Sequence, residues 1–298
     1  MDNIIKSASE GAQFTVFGDT YHGAVPMFPM YERMEDMKGQ GQEYYFIEQH
    51  YSLQPAIEQL SRGEITEDQF REINGAYNAD DWWEHSEVAD SIIAATNAGL
   101  RVVAFDTRSA EELGVVVPEH GIGNPEWENP PNQIPGYPED LLPAVQAAYD
   151  SRGAVSFDKR SADIVSTVAG EDKGIVWIGN NHIHGGHGAG DEKDFDGHLG
   201  ADRTARVTVY YDTEQMDEYL SGKTTTTEGL SCVAVDQPDF VYSVTEDAEL
   251  ATSSAMTKGY DTSNLITVDI PAPCYTTEEP RVISNPYAAP EVTPEVAP

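Results

Sequence analysis

Phe14-Thr15-Val16-Phe17 runs directly into Gly18-Asp19-Thr20-Tyr21-His22-Gly23, an apolar run that ends abruptly in a polar, glycine-bounded turn. The same arrangement recurs three times. Tyr44-Tyr45-Phe46-Ile47 ends in Glu48-Gln49-His50, Leu100 to Phe105 (LRVVAF) ends in Asp106, and Gly174-Ile175-Val176-Trp177-Ile178 ends in Gly179-Asn180-Asn181-His182. Short apolar runs bounded by turn signals are the pattern of buried strands. Helical stretches separate them, at Met27 to Lys38, Leu53 to Gln59, Thr66 to Ile73 and Glu87 to Asn97, then at Leu141 to Tyr149 and Arg160 to Val168. Thr66, with Asp68 and Gln69 behind it, is an N-cap candidate, and Gly99 closes the fourth stretch as a C-cap residue.

Strand and helix alternating over short connections give an α/β fold, a mostly parallel central sheet flanked by helices. Additional C-terminal strands are expected at Arg206 to Tyr211, Cys232 to Val235, Phe240 to Val244 and Leu265 to Ile270. Ligands gather at the carboxyl ends of the strands in such sheets, which puts His22, Glu48, His50 and Asp106 on one rim. Glu48 and His50 stand two apart on an extended segment and are expected to face the same way. Residues 1–270 read as one domain, with a motif-bearing core of about 14–215 and C-terminal strands over about 216–270. Residues 271–298, rich in Pro, Ala and Glu, read as a disordered tail. From Val115 to Glu139 the chain has no helical or strand period; it reads as a long surface loop or lid, with Trp127 and Tyr137 available for packing.

The 298 residues carry 52 acidic against 17 basic side chains, a formal charge of −35. That field repels phosphates and anionic lipid, which disfavours nucleic acid and membrane-surface binding and suits solubility or the steering of cations. No apolar run approaches the roughly 20 residues of a membrane span. The N-terminal MDNIIKSASEGAQF has neither a basic start nor an apolar stretch, so no signal peptide is read; a cytoplasmic location is expected, with secretion as an effector the other reading. Cys232 and Cys274 are the only cysteines, too few for a disulfide scaffold or an all-cysteine zinc site.

The chemistry resides in the histidines, four of whose eight fall between His182 and His198. Imidazole serves as a metal ligand or as a general base near neutral pH. The spacing of His182, His184 and His187 suits a metal, although glycine-rich histidine loops also arise without one. His22, Glu48 and His182 differ from these because each ends a separate apolar strand. The ordinary role of such a residue is to cap the next helix, but three from separate strands argue for a shared site.

The turn Gly18-Asp19-Thr20-Tyr21-His22-Gly23 resembles the G-E-x-x-H-G turn of erythromycin esterase-like proteins and the shorter turn of the haem-uptake (ChaN-like) and TIKI-type proteins grouped with them. Phe46-Ile47-Glu48 is similar to that superfamily's second strand, which ends in a functional glutamate. Val176-Trp177-Ile178-Gly179-Asn180-Asn181-His182 resembles its closing V-W-x-x-N-x-H motif, and Arg160 stands where the family often carries an arginine. Asp19 departs from the family's glutamate by one methylene.

The resemblance covers about two thirds of the chain and implies a hydrolase with a His/Glu/His site that cleaves an ester or amide bond in a small molecule or peptide. It implies His22 as general base or metal ligand, Glu48 as acid/base partner or ligand, and His182 as ligand or oxyanion stabiliser. Asp19 would orient His22, and Arg160 would hold an anionic group or pair with Glu48 or Asp19. A divalent metal (Mn, Zn, Co or Fe) would sit on His22, Glu48, His182 and His184. The alternatives are a haem- or metal-binding protein of the same fold and a toxin or effector-type domain.

Overall fold

The computed structural model describes residues 12–19, 33–78, 86–109, 112, 129–179, 182–183, 194–200 and 202–210, with the strand segments 225–227, 230–232, 240–245 and 265–269. Strands β1 (Phe14–Asp19), β2 (Gln42–His50), β3 (Arg101–Asp106), β4 (Lys173–Gly179), β5 (Thr204–Tyr210), β8 (Phe240–Thr245) and β9 (Leu265–Asp269) form one sheet in the order β3-β2-β4-β1-β5-β8-β9. Every pairing in it is parallel. A separate antiparallel pair joins β6 (Thr225–Thr227) to β7 (Leu230–Cys232). The expected α/β architecture is therefore present, and β8 and β9 extend the sheet.

Among the described residues the helices are α1 (Met34–Gly39), α2 (Gln54–Ser61), α3 (Glu67–Asn78), α4 (Ser86–Asn97), α5 (Leu142–Asp150), α6 (Phe157–Ala169) and α7 (Phe195–Leu199). The four apolar runs of the strands split between two cores. Phe17, Tyr45, Ile47, Val102, Ala104, Ile175 and Trp177 pack with α1 to α4 on one face. Phe14, Val16, Phe46, Val103, Phe105, Val176 and Ile178 pack with α5, α6 and α7 on the other. The chain moves from β1 to β2 and β3 with its helices on the first face. It then returns through β4 to β5 with its helices on the second. Reversing direction and face together is what a uniform crossover hand requires.

Because β4 inserts between β1 and β2, the connections leaving β2 and β4 diverge to opposite faces. The crevice between such connections, at the carboxyl ends of the strands, is the ligand-binding position of open α/β sheets. β2 also carries an irregularity there. Ile47 pairs with Ala104, but the next pair is His50 with Asp106, so β2 spends one more residue than β3. A bulge of this kind re-aims side chains at a sheet's rim.

Local signals account for the element ends. Thr66 Oγ1 accepts the Gln69 N–H (3.2 Å) while Gln69 Oε1 accepts the Thr66 N–H (2.8 Å), a reciprocal cap at the start of α3. Gly99, at φ +77°, ends α4 as the Leu100 N–H returns to the Ala95 carbonyl (2.9 Å). Gly174 serves close packing: a Cβ there would lie 2.8 Å from Cε2 of the fully buried Phe46 ring.

The described boundaries correct several expectations. α1 starts at Met34, with Arg33 as its N-cap in a non-helical conformation, and residues 20–32 lie outside the described residues. α6 begins three residues earlier than expected, since Ser156 caps it by accepting the Lys159 N–H (3.3 Å). β7 is described over Leu230–Cys232, and residues 233–235 of the expected strand lie outside the described residues. Within the long loop, Pro131–Gln133 forms a 3-10 turn, and Tyr137 is buried in the second core. Trp127, Cys274 and residues 271–298 lie outside the described residues. Among the described residues, no helix is long and apolar enough to cross a membrane.

Among the described residues β3 has β2 on one side only, which leaves an edge. Gln54 at the start of α2 covers it: Nε2 donates to the Val102 carbonyl (2.9 Å) and Oε1 accepts the Ala104 N–H (2.8 Å), with Gln54 fully buried. A side-chain amide here takes the place of a neighbouring strand. Gln54→Leu strands both backbone groups and is expected to lower stability by about 2 kcal/mol. Urea denaturation with an unchanged m-value would show it; a loss under a few tenths would mean the edge is satisfied otherwise.

Candidate functional site

Glu48 leaves β2 beside the end of β4, and its carboxylate is only 3% exposed. One oxygen, Oε2, accepts the Gly179 N–H at 2.6 Å; the other, Oε1, accepts from Nη2 of Arg108. Arg108 stands two residues beyond β3. Its Nε lies 3.1 Å from both oxygens of Asp106, and Nη2 donates to Asp106 Oδ2 at 2.7 Å. The Arg108 N–H also donates to Asp106 Oδ1 (2.8 Å), so the acid at the strand end folds the chain back onto itself. One guanidinium thus joins carboxylates from two adjacent strands.

His182 enters from the segment after β4. Its Nδ1 lies 2.6 Å from Oδ1 of Asp158, and its Nε2 is 3.7 Å from Oε1 of Glu48. The first is a short, charge-assisted hydrogen bond; the second exceeds hydrogen-bond length and acts electrostatically. Asp158 comes from the first turn of α6, where the helix dipole favours an acid. Phe157, its neighbour, meets the His182 ring edge-on (centroids 4.7 Å apart) and takes the Arg108 guanidinium over its face at 4.0 Å.

The electrostatics follow from these partners. Burial alone would lower the His182 imidazole, but the Glu48 and Asp158 carboxylates together outweigh it and hold it above its ordinary value. Burial pushes Asp106 upward, yet Arg108 overrides that and holds it at about 2. His50 goes the other way. Burial drives it down to about 3 against the weaker pull of Asp106, which makes it a neutral imidazole at neutral pH. Its Nδ1 lies 2.7 Å from Ser52 Oγ, and its ring packs on Tyr51. So Glu48 and His50, expected to face one way, serve different surroundings across the bulge.

Of the residues singled out in the sequence, Glu48 and His182 come together. Asp19 pairs with Gly179 through the β1–β4 ladder at the same rim, and its side chain lies outside the described residues. His22 and His184 also lie outside them. Arg160, expected to hold an anionic group or to pair with Glu48 or Asp19, is 1% exposed and pairs with Glu112. Its Nη1 and Nη2 bind Glu112 (2.8 and 3.2 Å), and Nη1 donates to the Val155 carbonyl (2.7 Å). It points along α6 toward the segment after β3, and the guanidinium on Glu48 belongs to Arg108.

Arg108 and Asp158 were missed in the sequence. Arg108 had one usable signal: acids ending two neighbouring buried strands require a cation, and it is the first one downstream of Asp106. Asp158 had none, since it reaches the rim only because α6 docks across the sheet. Among the described residues, no group of three His, Cys, Asp or Glu side chains is arranged to hold a metal.

Neither a family model nor a curated protein matches the chain. Among solved structures it is similar to the type III effector HopBA1, at 14% identity and a TM-score of 0.43, over 80% of this chain and 90% of that one. It is also similar to a Bacillus cereus protein, at 13% identity and a TM-score of 0.45, over 70% of this chain and 68% of that one. Likeness at this level assigns neither chemistry nor family.

Two outcomes follow from the charge arrangement. Arg108→Met leaves Glu48 and Asp106 buried without their cation and is expected to cost about 3–5 kcal/mol, read by denaturant titration. His50 has a folded-state value near 3 against an unfolded 6.5. Its contribution is therefore full above pH 6.5 and is lost as pH falls toward 3. His50→Gln should flatten that acid limb, by on the order of 4 kcal/mol at full extent. His182 has the opposite sign: its contribution is full below pH 6.5 and is lost as pH rises through its raised folded value. A His50→Gln curve parallel to the parent's between pH 6.5 and 4.5 would count against a buried neutral imidazole.

Proposed function

We propose that the chain is a hydrolase of ester or amide bonds in which His182, held by Asp158, transfers a proton at the rim between β2 and β4. The observation that carries this reading is the Asp158–His182–Glu48 alignment: a carboxylate at 2.6 Å from one ring nitrogen and a second one 3.7 Å from the other. A histidine oriented through Nδ1, with its charged form favoured, is suited to act as a general acid. The resemblance of the Gly18–Gly23 turn supplies the other half, with His22 as the base. Water attacks the carbonyl carbon and gives its proton to His22. The bond to the leaving group breaks, and that group takes the proton from Nε2 of His182.

Glu48 favours the charged form of His182, and Arg108 keeps Glu48 in place. Three carboxylates (Glu48, Asp106, Asp158) face two cationic groups in this cluster, within a chain of net charge −35. That balance favours an uncharged or cationic substrate over an anionic one. Glu48 and His182, the expected metal ligands among the described residues, do not by themselves make a ligand set, and the steps are written on protein groups. Nor do these two residues favour haem, since His182 meets Glu48 and Asp158 with Phe157 beside it. An effector role rests on the resemblance alone.

A panel of neutral, ammonium-bearing and carboxylate-bearing esters and amides tests the reading. His182→Gln should lower kcat by about 10²–10⁴-fold, the usual range for a lost acid/base group. Activity in the parent should fall as pH rises through the raised His182 value, and Asp158→Asn should move that fall to lower pH. Chelator treatment should leave the rate unchanged, with no stoichiometric metal on elemental analysis. Metal lost together with activity, and restored by manganese or zinc, would replace this mechanism with the metal-assisted one. No hydrolysis anywhere in the panel would sink the reading.

A further inference from the structure

Arg152 lies in the turn between α5 and α6, outside every motif of the sequence and outside the cluster above. Its Nε donates to the Thr107 carbonyl, and its Nη2 lies 3.4 Å from the Arg108 carbonyl. Its guanidinium carbon stands 4.0 Å from the centre of the Tyr149 ring and 5.4 Å from that of Tyr51. Those rings meet edge to face, and Tyr51 is anchored in turn because its hydroxyl donates to the Asn129 carbonyl at 2.6 Å. The arginine therefore has a fixed seat, and from it two donors reach two consecutive carbonyls.

Those carbonyls belong to the segment that carries Arg108. Asp106 fixes its near end through the Arg108 N–H, and Thr107 is fully buried. The far end is fixed at Glu112, which makes a reciprocal cap with Ser109: Ser109 N–H to Oε2 at 3.0 Å, Glu112 N–H to Ser109 Oγ at 3.2 Å. Arg160 then holds the Glu112 carboxylate from α6. Arg152 acts on the middle, where peptide-plane rotation would swing the Arg108 side chain off Glu48. Placement errors of about 1 Å suffice to cost 10²-fold in catalysis.

We infer that Arg152 is a positioning residue: by holding the Thr107 and Arg108 carbonyls it fixes the backbone from which the Arg108 guanidinium reaches Glu48 and Asp106. The consequence for turnover rests on the hydrolase reading above; the placement of Arg108 does not. Arg152→Met keeps the aliphatic stem over Tyr149 and removes both donors.

The readout is hydrogen exchange of the Arg108 Nε–H in the full chain by nitrogen-15 NMR, with the Val16 amide in β1 as the reference for global opening. Exchange at Arg108 should accelerate about tenfold or more relative to Val16, the equivalent of one lost charge-assisted hydrogen bond. Arg152→Lys, which keeps the charge and a donor, should recover most of the protection. Unchanged Arg108 exchange in folded Arg152→Met, or acceleration in parallel with Val16, would overturn the inference.

If Arg152→Met does not fold, Tyr149→Leu withdraws the seat and carries the same readout, with an unchanged rate again counting against it. With a substrate from the panel, Arg152→Met should lower kcat about 10²-fold with KM little changed. A parent without hydrolytic activity would remove the hydrolase reading and leave the exchange result standing.

Discussion

A single guanidinium, that of Arg108, ties the carboxyl ends of β2 and β3 together through Glu48 and Asp106. Two buried acids on adjacent strands are tolerable only if a cation reaches both, because each unpaired charge away from water costs several kcal/mol. Arginine suits this position better than lysine would, since its planar fork serves two carboxylates at once while its face rests on Phe157. The bulge in β2, the fold-back of Asp106 onto the Arg108 amide and the entry of α6 all converge on that group.

His182 belongs to the same charge system from the other side. Glu48 is shared between Arg108, the Gly179 amide and the electrostatic field at His182, so the states of the two cations are linked through one carboxylate. Asp158 adds the orienting hydrogen bond, and it is available because Ser156 starts α6 where it does. Shifting that helix start by one residue would rotate Asp158 about 100° away from the histidine. The chemistry proposed for the rim therefore depends on a helix cap as much as on the motif residues themselves.

The connection between α5 and α6 works as a brace. Arg152 at its start and Arg160 just beyond its end hold the segment after β3 at two points, one through carbonyls and one through Glu112. The sequence singled out only Arg160, for an anionic group, Glu48 or Asp19, and the carboxylate it holds is that of Glu112. The Arg160 side chain reaches the Val155 carbonyl and Glu112, and a buried arginine satisfies whichever carboxylate its helix presents it to.

The sequence by itself determined the strands, their parallel sheet and the rim on which function would gather. Uninterrupted apolar runs such as Val102 to Phe105 can be satisfied only by burial on both faces, and polar residues closing them must emerge at one edge. Glu48 and His182 were legible for that reason. Only the tertiary structure decided which partners they meet. Asp158 is 24 residues from His182 along the chain, and Arg108 is 60 from Glu48. No local propensity records either distance being closed. Helix docking across the sheet closes the first and strand adjacency closes the second. Charge balance in a dry crevice then selects the cation.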